Sequence, residues 1–370
     1  MGMKKRYIIS GGGTGGHIFP ALAIANKIKK ENPEAEILFI GAENKMEMKR
    51  VPEAGYRIEG LEIYGISRDM SLNGLFCNLR LPVVMLKAMR KAKKIMREFA
   101  PDLVIGVGGF ASGPALKAAS QMGIPTMLQE QNSYPGVTNK MLCKDAKTIC
   151  VAYDGLEKYF PEEKIVKTGN PIRAEILQLQ RKSESSYKFF GLSPEKKTVL
   201  VVGGSLGART LNTTMAAHLR EIREAGLQLL WQTGEQFYSK IDPKLLDEQD
   251  GSIKIVPFIK NMNDAYGIAD IIVSRAGALA LSELAIVGAP TILVPFPYAA
   301  EDHQTSNAKA LSSRNAAILI PDKEAPEKLI PELMKLYGDT ARMQALAENM
   351  RKFAKPDAID LIYSEIEKLS

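Results

Sequence analysis

The chain has 370 residues, 45% of them apolar and 25% charged, with 30 glycines and a net charge of +7. That balance excludes an unfolded polar chain, and the length leaves room for two domains that each bury a sizeable core. Three cysteines, Cys77, Cys143 and Cys150, form no CxxC pair and are too few to staple so long a chain, so we expect no structural disulfides and a reducing cytoplasm.

The opening "MGMKKRYIIS" is too poor in apolar residues for a signal peptide, and no apolar run of about 20 residues follows that would span a bilayer. Next, "YIISGGGTGGHIFPALAIANKI" reads as strand, glycine turn and helix. Bare backbone at such a turn lets the first N–H groups of the helix point at a ligand, and with the helix dipole they form an anion site. Gly11, Gly13 and Gly16 satisfy GxGxxG, which makes a nicotinamide dinucleotide the rival ligand. Against it, Glu43 comes later than the usual spacing of about 20 residues for a ribose carboxylate, and the glycines exceed what a pyrophosphate turn needs. His17 also follows the last glycine directly. A lone histidine at a helix start is ordinarily a cap or a surface residue. At the mouth of a sheet it is suited to act as a general base, kept neutral by the positive helix end.

After the strand "EILFIGA", residues 74–97, "GLFCNLRLPVVMLKAMRKAKKIMR", carry seven Lys or Arg and no acid. Met85, Met89, Ala92, Met96 and Phe99 share one helical face, which we read as a core stripe opposite a solvated basic face. Leu75, Phe76 and Leu79 precede Pro82 in a loop-like or short helical stretch and are the membrane-contact candidates. The strands "DLVIGVGG", "PTMLQEQ" and "TICVAY" follow, and the pattern breaks at Gly169, Asn170 and Pro171.

The second half repeats the first. "TVLVVGGSLGARTLNTTMAAHL" echoes the opening strand, turn and helix, and "DIIVSRAGALALSELAIVGAPTILVPFP" echoes "DLVIGVGGFASGPALKAASQMGIPTMLQEQN". The fold class is therefore α/β, with two doubly wound, Rossmann-like parallel-sheet domains at 1–168 and 169–354. An amphipathic helix within 355–370 is expected to pack back on the first domain. Ligands of such sheets gather at the carboxyl ends of the strands, so the site is expected in a deep cleft that both domains face. In the second domain Ser205 and Gly207 suit a diphosphate, Glu283 suits both hydroxyls of a ribose, and Gln304 and Asn307 suit sugar hydroxyls. The bland alternatives are a solvated helix start for Gln304 and Asn307 and a salt bridge for Arg275.

The ordered motifs "GGGTGGHIFPALA", "GVGGFASGP", "QEQNSYPGVTNK", "TGNPIR", "VVGGSLGARTLN", "SRAGALALSELA" and "PFPYAAEDHQTSNA" resemble the MurG family. These bacterial enzymes transfer N-acetylglucosamine from UDP to the undecaprenyl-diphosphate-linked muramyl peptide. The resemblance covers most of the chain. It implies a GT-B architecture and inverting transfer, with the donor on the second domain and the lipid-linked acceptor on the first. It implies donor contacts from Thr14, Gly15, Gly16, Asn132, Arg173 and Ser205, from Ile259 at the uracil, and from Gln304 at the sugar. The run Ala278, Leu279, Ala280, Leu281, Ser282 and Glu283 would cradle diphosphate and ribose. Gly13, Gly108, Gly109, Phe110, Ser112, Glu130 and Gln131 would face the acceptor, and His17 matches the proposed base, with Glu130 as its rival in a neighbouring loop. Phe110 stands where many relatives have tyrosine, Gln129 replaces a histidine of some, and Thr305 replaces a common glutamine. These departures touch the acceptor loops, not the reaction.

No D-x-D sequence occurs, so no metal and no cofactor is expected, and helix dipoles take the metal's place at the leaving diphosphate. The expected partners are UDP-N-acetylglucosamine, the lipid-linked acceptor, an anionic membrane surface and other cell-wall synthesis proteins, with no nucleic acid. The expected location is the cytoplasmic face of the bacterial plasma membrane. Three rival readings are a diacylglycerol glycosyltransferase, a UDP-N-acetylglucosamine epimerase and a non-catalytic UDP-sugar sensor.

Overall fold

The computed structural model describes residues 4–65, 72–204, 207–242, 251–299 and 302–370, the side chains of 72–78 excepted. The chain forms two compact units, Met1–Ile172 with Asp357–Ser370, and Arg173–Pro356.

In the first unit, β1 (Arg6–Ser10), β2 (Glu36–Ala42), β3 (Arg57–Leu61), β4 (Leu103–Gly106), β5 (Thr126–Glu130), β6 (Thr148–Val151) and β7 (Ile165–Lys167) form one sheet. Its order is β3-β2-β1-β4-β5-β6-β7, and every pairing is parallel. Side chains alternate between the faces, as the period of a strand requires. Ile8 joins one core with Leu38, Ile40, Val104 and Leu128, whereas Tyr7 and Ile9 join the other with Phe39, Leu103 and Ile105. Both faces are buried, which is why these strands are apolar along their whole length.

The first face is covered by the helices Leu72–Phe99 and Ser112–Gln121, through Ala88, Ala92, Met96, Ala115 and Ala119. Small residues there let the helices approach the sheet closely. Gly15–Glu31 covers the second face with Ala21, Ile24, Ala25 and Ile28, and the chain's last helix, Ala358–Leu369, completes it with Ile362 and Ile366. Burying two such side chains contributes about 1.5–3 kcal/mol each, which ties residues after Pro356 to the first unit. Lys27 bridges Glu31 and Asp360, and the Tyr7 hydroxyl meets Ser370 Oγ at 3.1 Å.

The stretch before Pro82 is neither a loop nor a short helix: Leu72–Phe99 is one helix with Pro82 inside it. Proline is accommodated at its exposed position, and Leu79 is 71% exposed on the same helix. The side chains of Leu75 and Phe76 lie outside the described residues. Met96 is buried, with Met85 and Phe99 packed around the same core, as the helical stripe predicts.

The second unit holds β8 (Thr198–Val202), β9 (Gln228–Gln232), β10 (Ile253–Val256), β11 (Ala269–Ser274), β12 (Thr291–Leu293) and β13 (Ile318–Leu319). The order is β10-β9-β8-β11-β12-β13, again parallel throughout. Trp231 is fully buried on β9, and its indole N–H donates to Asn212 Oδ1 at 3.1 Å. The two sheets share one feature that positions chemistry. The strand order reverses between β1 and β4 and again between β8 and β11, and a ligand crevice opens at the carboxyl ends of such strand pairs because the chain leaves them in opposite directions.

Candidate active site

At the first reversal, the glycine turn after β1 meets the turn after β4. Thr14 caps the helix Gly15–Glu31, its carbonyl accepting from the N–H groups of His17 at 3.1 Å and Ile18 at 3.2 Å. The His17 ring lies against Gly108: a Cβ there would stand 2.9 Å from Cδ2 and 3.0 Å from Nε2 of the ring. Gly108 and Gly109 both have φ near +90°, a conformation that glycine alone adopts without strain. His17 Nδ1 lies 3.1 Å from the Gly12 carbonyl oxygen and 3.3 Å from Thr14 Oγ1. A carbonyl only accepts, so a hydrogen bond to Gly12 requires the tautomer with its proton on Nδ1, which leaves the basic lone pair of the neutral ring on Nε2. Phe110 lies beside Gly13 and Gly65, its ring edge 3.2 Å from where a Cβ of Gly13 would be.

The loop after β5 is organised around Glu130, which is buried. Oε1 accepts from the backbone and side-chain N–H of Asn132 at 3.0 and 3.1 Å, and Oε2 from Asn139 Nδ2 at 2.8 Å and Gly136 N at 3.1 Å. Burial pushes its pKa up, and those donors offset the rise only in part. This carboxylate is the rival base that the sequence offers, and both of its oxygens are engaged in shaping its own loop. Gln131 is also buried, donating to the Val107 carbonyl at 2.8 Å, and Ser112 Oγ donates to the Gly109 carbonyl at 2.8 Å. Of the acceptor-side candidates, Gly13, Gly108, Gly109 and Phe110 therefore surround the turns, while Ser112, Glu130 and Gln131 hold them in shape.

In the second unit, Ser205 lies outside the described residues. Gly277 caps the helix Ala278–Val287, whose partly exposed first turn carries Leu279 and Ala280, while Leu281 faces the core and Ser282 Oγ bonds back to the Ala278 carbonyl. Glu283 is buried and receives both arms of Arg173, Nε and Nη2, each at 2.8 Å. The Tyr266 hydroxyl donates to the same carboxylate at 3.3 Å. Burial first, and then the charge of Glu283, push that phenol well above its ordinary pKa, so it stays a donor. Gln304 Oε1 accepts from Ala276 N at 3.2 Å and Phe296 N at 2.9 Å, which orients its amide across the ends of β11 and β12. Ile259 is buried, and its N–H donates to Gln232 Oε1 at 2.8 Å. Asn307 is buried too, its amide donating to the Ala276 carbonyl at 3.4 Å. Arg275 is no ligand group: it pairs with Asp322 and donates to the carbonyls of Val294 and Pro295.

Two residues escape a reading by sequence. Tyr266 has no motif around it. Glu47 is fully buried beneath the glycine turn, whereas Glu43, the carboxylate weighed as a ribose ligand, pairs with Lys91 at 2.9 Å. A glutamate in the polar run "ENKMEMKR" carries no pattern that marks it as buried. Among the described residues, no group of three or more His, Cys, Asp or Glu side chains is arranged to hold a metal ion.

Comparison with known proteins accounts for both halves. The glycosyltransferase family 28 N-terminal domain matches residues 7–151, and the family 28 C-terminal domain matches residues 198–362. A "UDP-N-acetylglucosamine--N-acetylmuramyl-(pentapeptide) pyrophosphoryl-undecaprenol N-acetylglucosamine transferase" of Cytophaga hutchinsonii is 51% identical over 98% of this chain and 96% of its own length. A protein of the same name from Parabacteroides distasonis is 50% identical, covering 99% and 98%. The crystal structure of Acinetobacter baumannii MurG superposes with a TM-score of 0.78 at 30% identity, covering 98% of this chain and 99% of that one.

Proposed function

The chain belongs to glycosyltransferase family 28 and, within it, to the MurG family, and from that premise we propose that it transfers N-acetylglucosamine from UDP to the undecaprenyl-diphosphate-linked muramyl peptide. The observation that carries the mechanism is the His17 ring at the first reversal, with Nδ1 3.1 Å from the Gly12 carbonyl oxygen. Nε2 is then the atom that takes the proton of the acceptor hydroxyl as that oxygen bonds to the anomeric carbon. The bond from that carbon to the diphosphate breaks, and its electron pair leaves with UDP. In the second unit Glu283 accepts the ribose hydroxyls, Gln304 offers its amide N–H groups to the sugar, and Ile259 adjoins the uracil. Arg173 and the N–H groups at the start of Ala278–Val287 oppose the charge that grows on the diphosphate, where preorganised dipoles are worth most.

The acceptor's lipid brings the enzyme to a membrane. No described helix is long and apolar enough to cross one. Instead Leu79, Val83 and Leu86, which are 71, 58 and 50% exposed, form a row on the helix Leu72–Phe99, with exposed Arg80, Lys87 and Arg90 among them. That combination supports peripheral attachment to an anionic surface on the cytoplasmic side.

The decisive assay incubates the protein with UDP-N-acetylglucosamine, with and without lipid-linked muramyl peptide, in excess chelator. A disaccharide-linked lipid that forms only when acceptor is present supports the proposal. Free sugar released without acceptor indicates an epimerase, no turnover either in chelator or with added magnesium indicates a sensor, and turnover only with added magnesium removes the metal-free mechanism. His17→Ala should slow turnover by about 100-fold or more, the range for loss of a general base, with little change in UDP affinity.

A further inference from the structure

We propose that Glu47 is a positioning residue that acts on His17 through the peptide group joining Gly12 to Gly13. The proposal deepens the reading above, since it rests on His17 as the base.

Glu47 is fully buried, and no ion pair to it occurs among the described residues. A carboxylate in that position is costly unless N–H donors satisfy it. Two do: Ala42 N, at the end of β2, donates to Oε1 at 3.0 Å, and Gly13 N donates to Oε2 at 2.9 Å. The Gly13 N–H belongs to the same amide as the Gly12 carbonyl, and that carbonyl accepts from His17 Nδ1 at 3.1 Å. Carboxylate, amide and imidazole thus form one hydrogen-bonded series. Negative charge at the N–H end of an amide draws electron density onto its oxygen, so each bond strengthens the next.

Two consequences follow for the reaction. The proton of the resting ring is fixed on Nδ1, which leaves the lone pair on Nε2. When Nε2 takes the acceptor's proton, the resulting imidazolium faces a carbonyl backed by a fixed negative charge. Glu47 itself exchanges no proton.

The packing holds the amide in this register. A Cβ on Gly12 would run into the Glu47 carboxylate, and a Cβ on Gly109 would run into the Gly12 carbonyl, so glycine is required on both sides. Other charged groups around the turn are engaged elsewhere: Glu43 with Lys91, Arg50 with Glu53, and Glu130 with its own loop.

The chain has only three histidines, so 15N-histidine labelling resolves the His17 ring in the intact protein. The expected result for the unaltered protein is the Nδ1–H tautomer; a ring protonated on Nε2 overturns the proposal without any variant, including the case in which a variant fails to fold. Glu47→Gln should lower kcat by about 10-fold or more, leave the donor KM within about twofold, and shift the ring toward a mixture of tautomers. An unchanged kcat with an unchanged ring spectrum overturns it. In a His17→Ala background Glu47→Gln should have no further effect, and a loss of the same size there also overturns it. If His17→Ala alone leaves kcat intact, it is the base assignment that fails, whereas the tautomer shift between parent and Glu47→Gln reports on the hydrogen-bonded series by itself.

Discussion

Glu283 shows how much one side chain depends on its neighbours. Its carboxylate is buried, yet it is bound by a two-armed guanidinium and a phenol, so its position is set before any ligand arrives. For a donor ribose this is preorganisation: the acceptor oxygens need not be recruited from solvent. Replacing Glu283 by Gln keeps the shape but removes the charge and one acceptor. A hydrogen bond to a charged group is worth about 1.5–3 kcal/mol, so the donor KM should rise by about 10- to 100-fold while kcat changes little. Steady-state kinetics with varied UDP-N-acetylglucosamine measure this, and an unaltered KM removes Glu283 from the donor site. Arg173 belongs to the same unit as its partner, and its arms would then lack a full counter-charge, so Arg173→Ala should partly restore stability lost in the variant.

At the scale of elements, the loop after β5 is built inward on a carboxylate. Glu130 binds four N–H groups from Asn132, Gly136 and Asn139, which folds the segment between β5 and the helix Val137–Leu142 into one shape. Burial nevertheless holds its pKa above the ordinary carboxyl value. The folded chain therefore holds that proton more tightly than the unfolded chain does. The contribution to stability is complete below the unfolded value, near ~4.3, and is lost as pH rises through the folded one. Chemical denaturation from about pH 4 upward should show the parent losing stability relative to Glu130→Gln. Parallel curves for the two proteins would mean that Glu130 does not carry this term. The glycine turn after β1 is likewise built on a buried carboxylate, Glu47, which accepts from the N–H groups of Ala42 and Gly13.

For the molecule as a whole, the excess of +7 charges matters where it is concentrated. Residues 74–97 carry seven cations and no acid, and the exposed apolar row from Leu79 to Leu86 lies among them. Each basic residue near an anionic surface contributes about 1 kcal/mol, and that attraction is screened within a Debye length of ~8 Å at physiological salt. Cosedimentation with phosphatidylglycerol vesicles should be strong at low salt, weaken by about tenfold or more toward 0.5 M, and be slight with neutral vesicles. Leu79→Asp should reduce it without altering turnover of a soluble acceptor analogue. Binding that ignores lipid charge removes the surface.

What the sequence determined by itself was the alternation of strand and helix and the duplication, because both are written in local periodicity. The short edge strands β3, β7 and β13 carry too little of it and form by pairing with β2, β6 and β12. Short apolar runs, glycine turns and intervening amphipathic stretches recur in each half, and these lead to two parallel doubly wound sheets. The turns that carry the proposed site stand out for the same reason, since bare backbone beside His17, and small residues ahead of Glu283, have few structural uses at a strand end. The rest depended on contacts between residues far apart in the chain. Whether Leu79 lay in a loop or a helix, where the units divide, and which N–H groups bind Glu130 were decided by packing and hydrogen bonding. The last helix joins the first sheet because Ile362 and Ile366 fill a gap beside Ile24 and Ile28. Glu47 is the clearest case: an ordinary glutamate in a polar run becomes a buried partner of the glycine turn only when β2 is laid beside β1. A local pattern records which atoms are neighbours along the chain, and only the folded backbone brings a carboxylate to an amide 34 residues away.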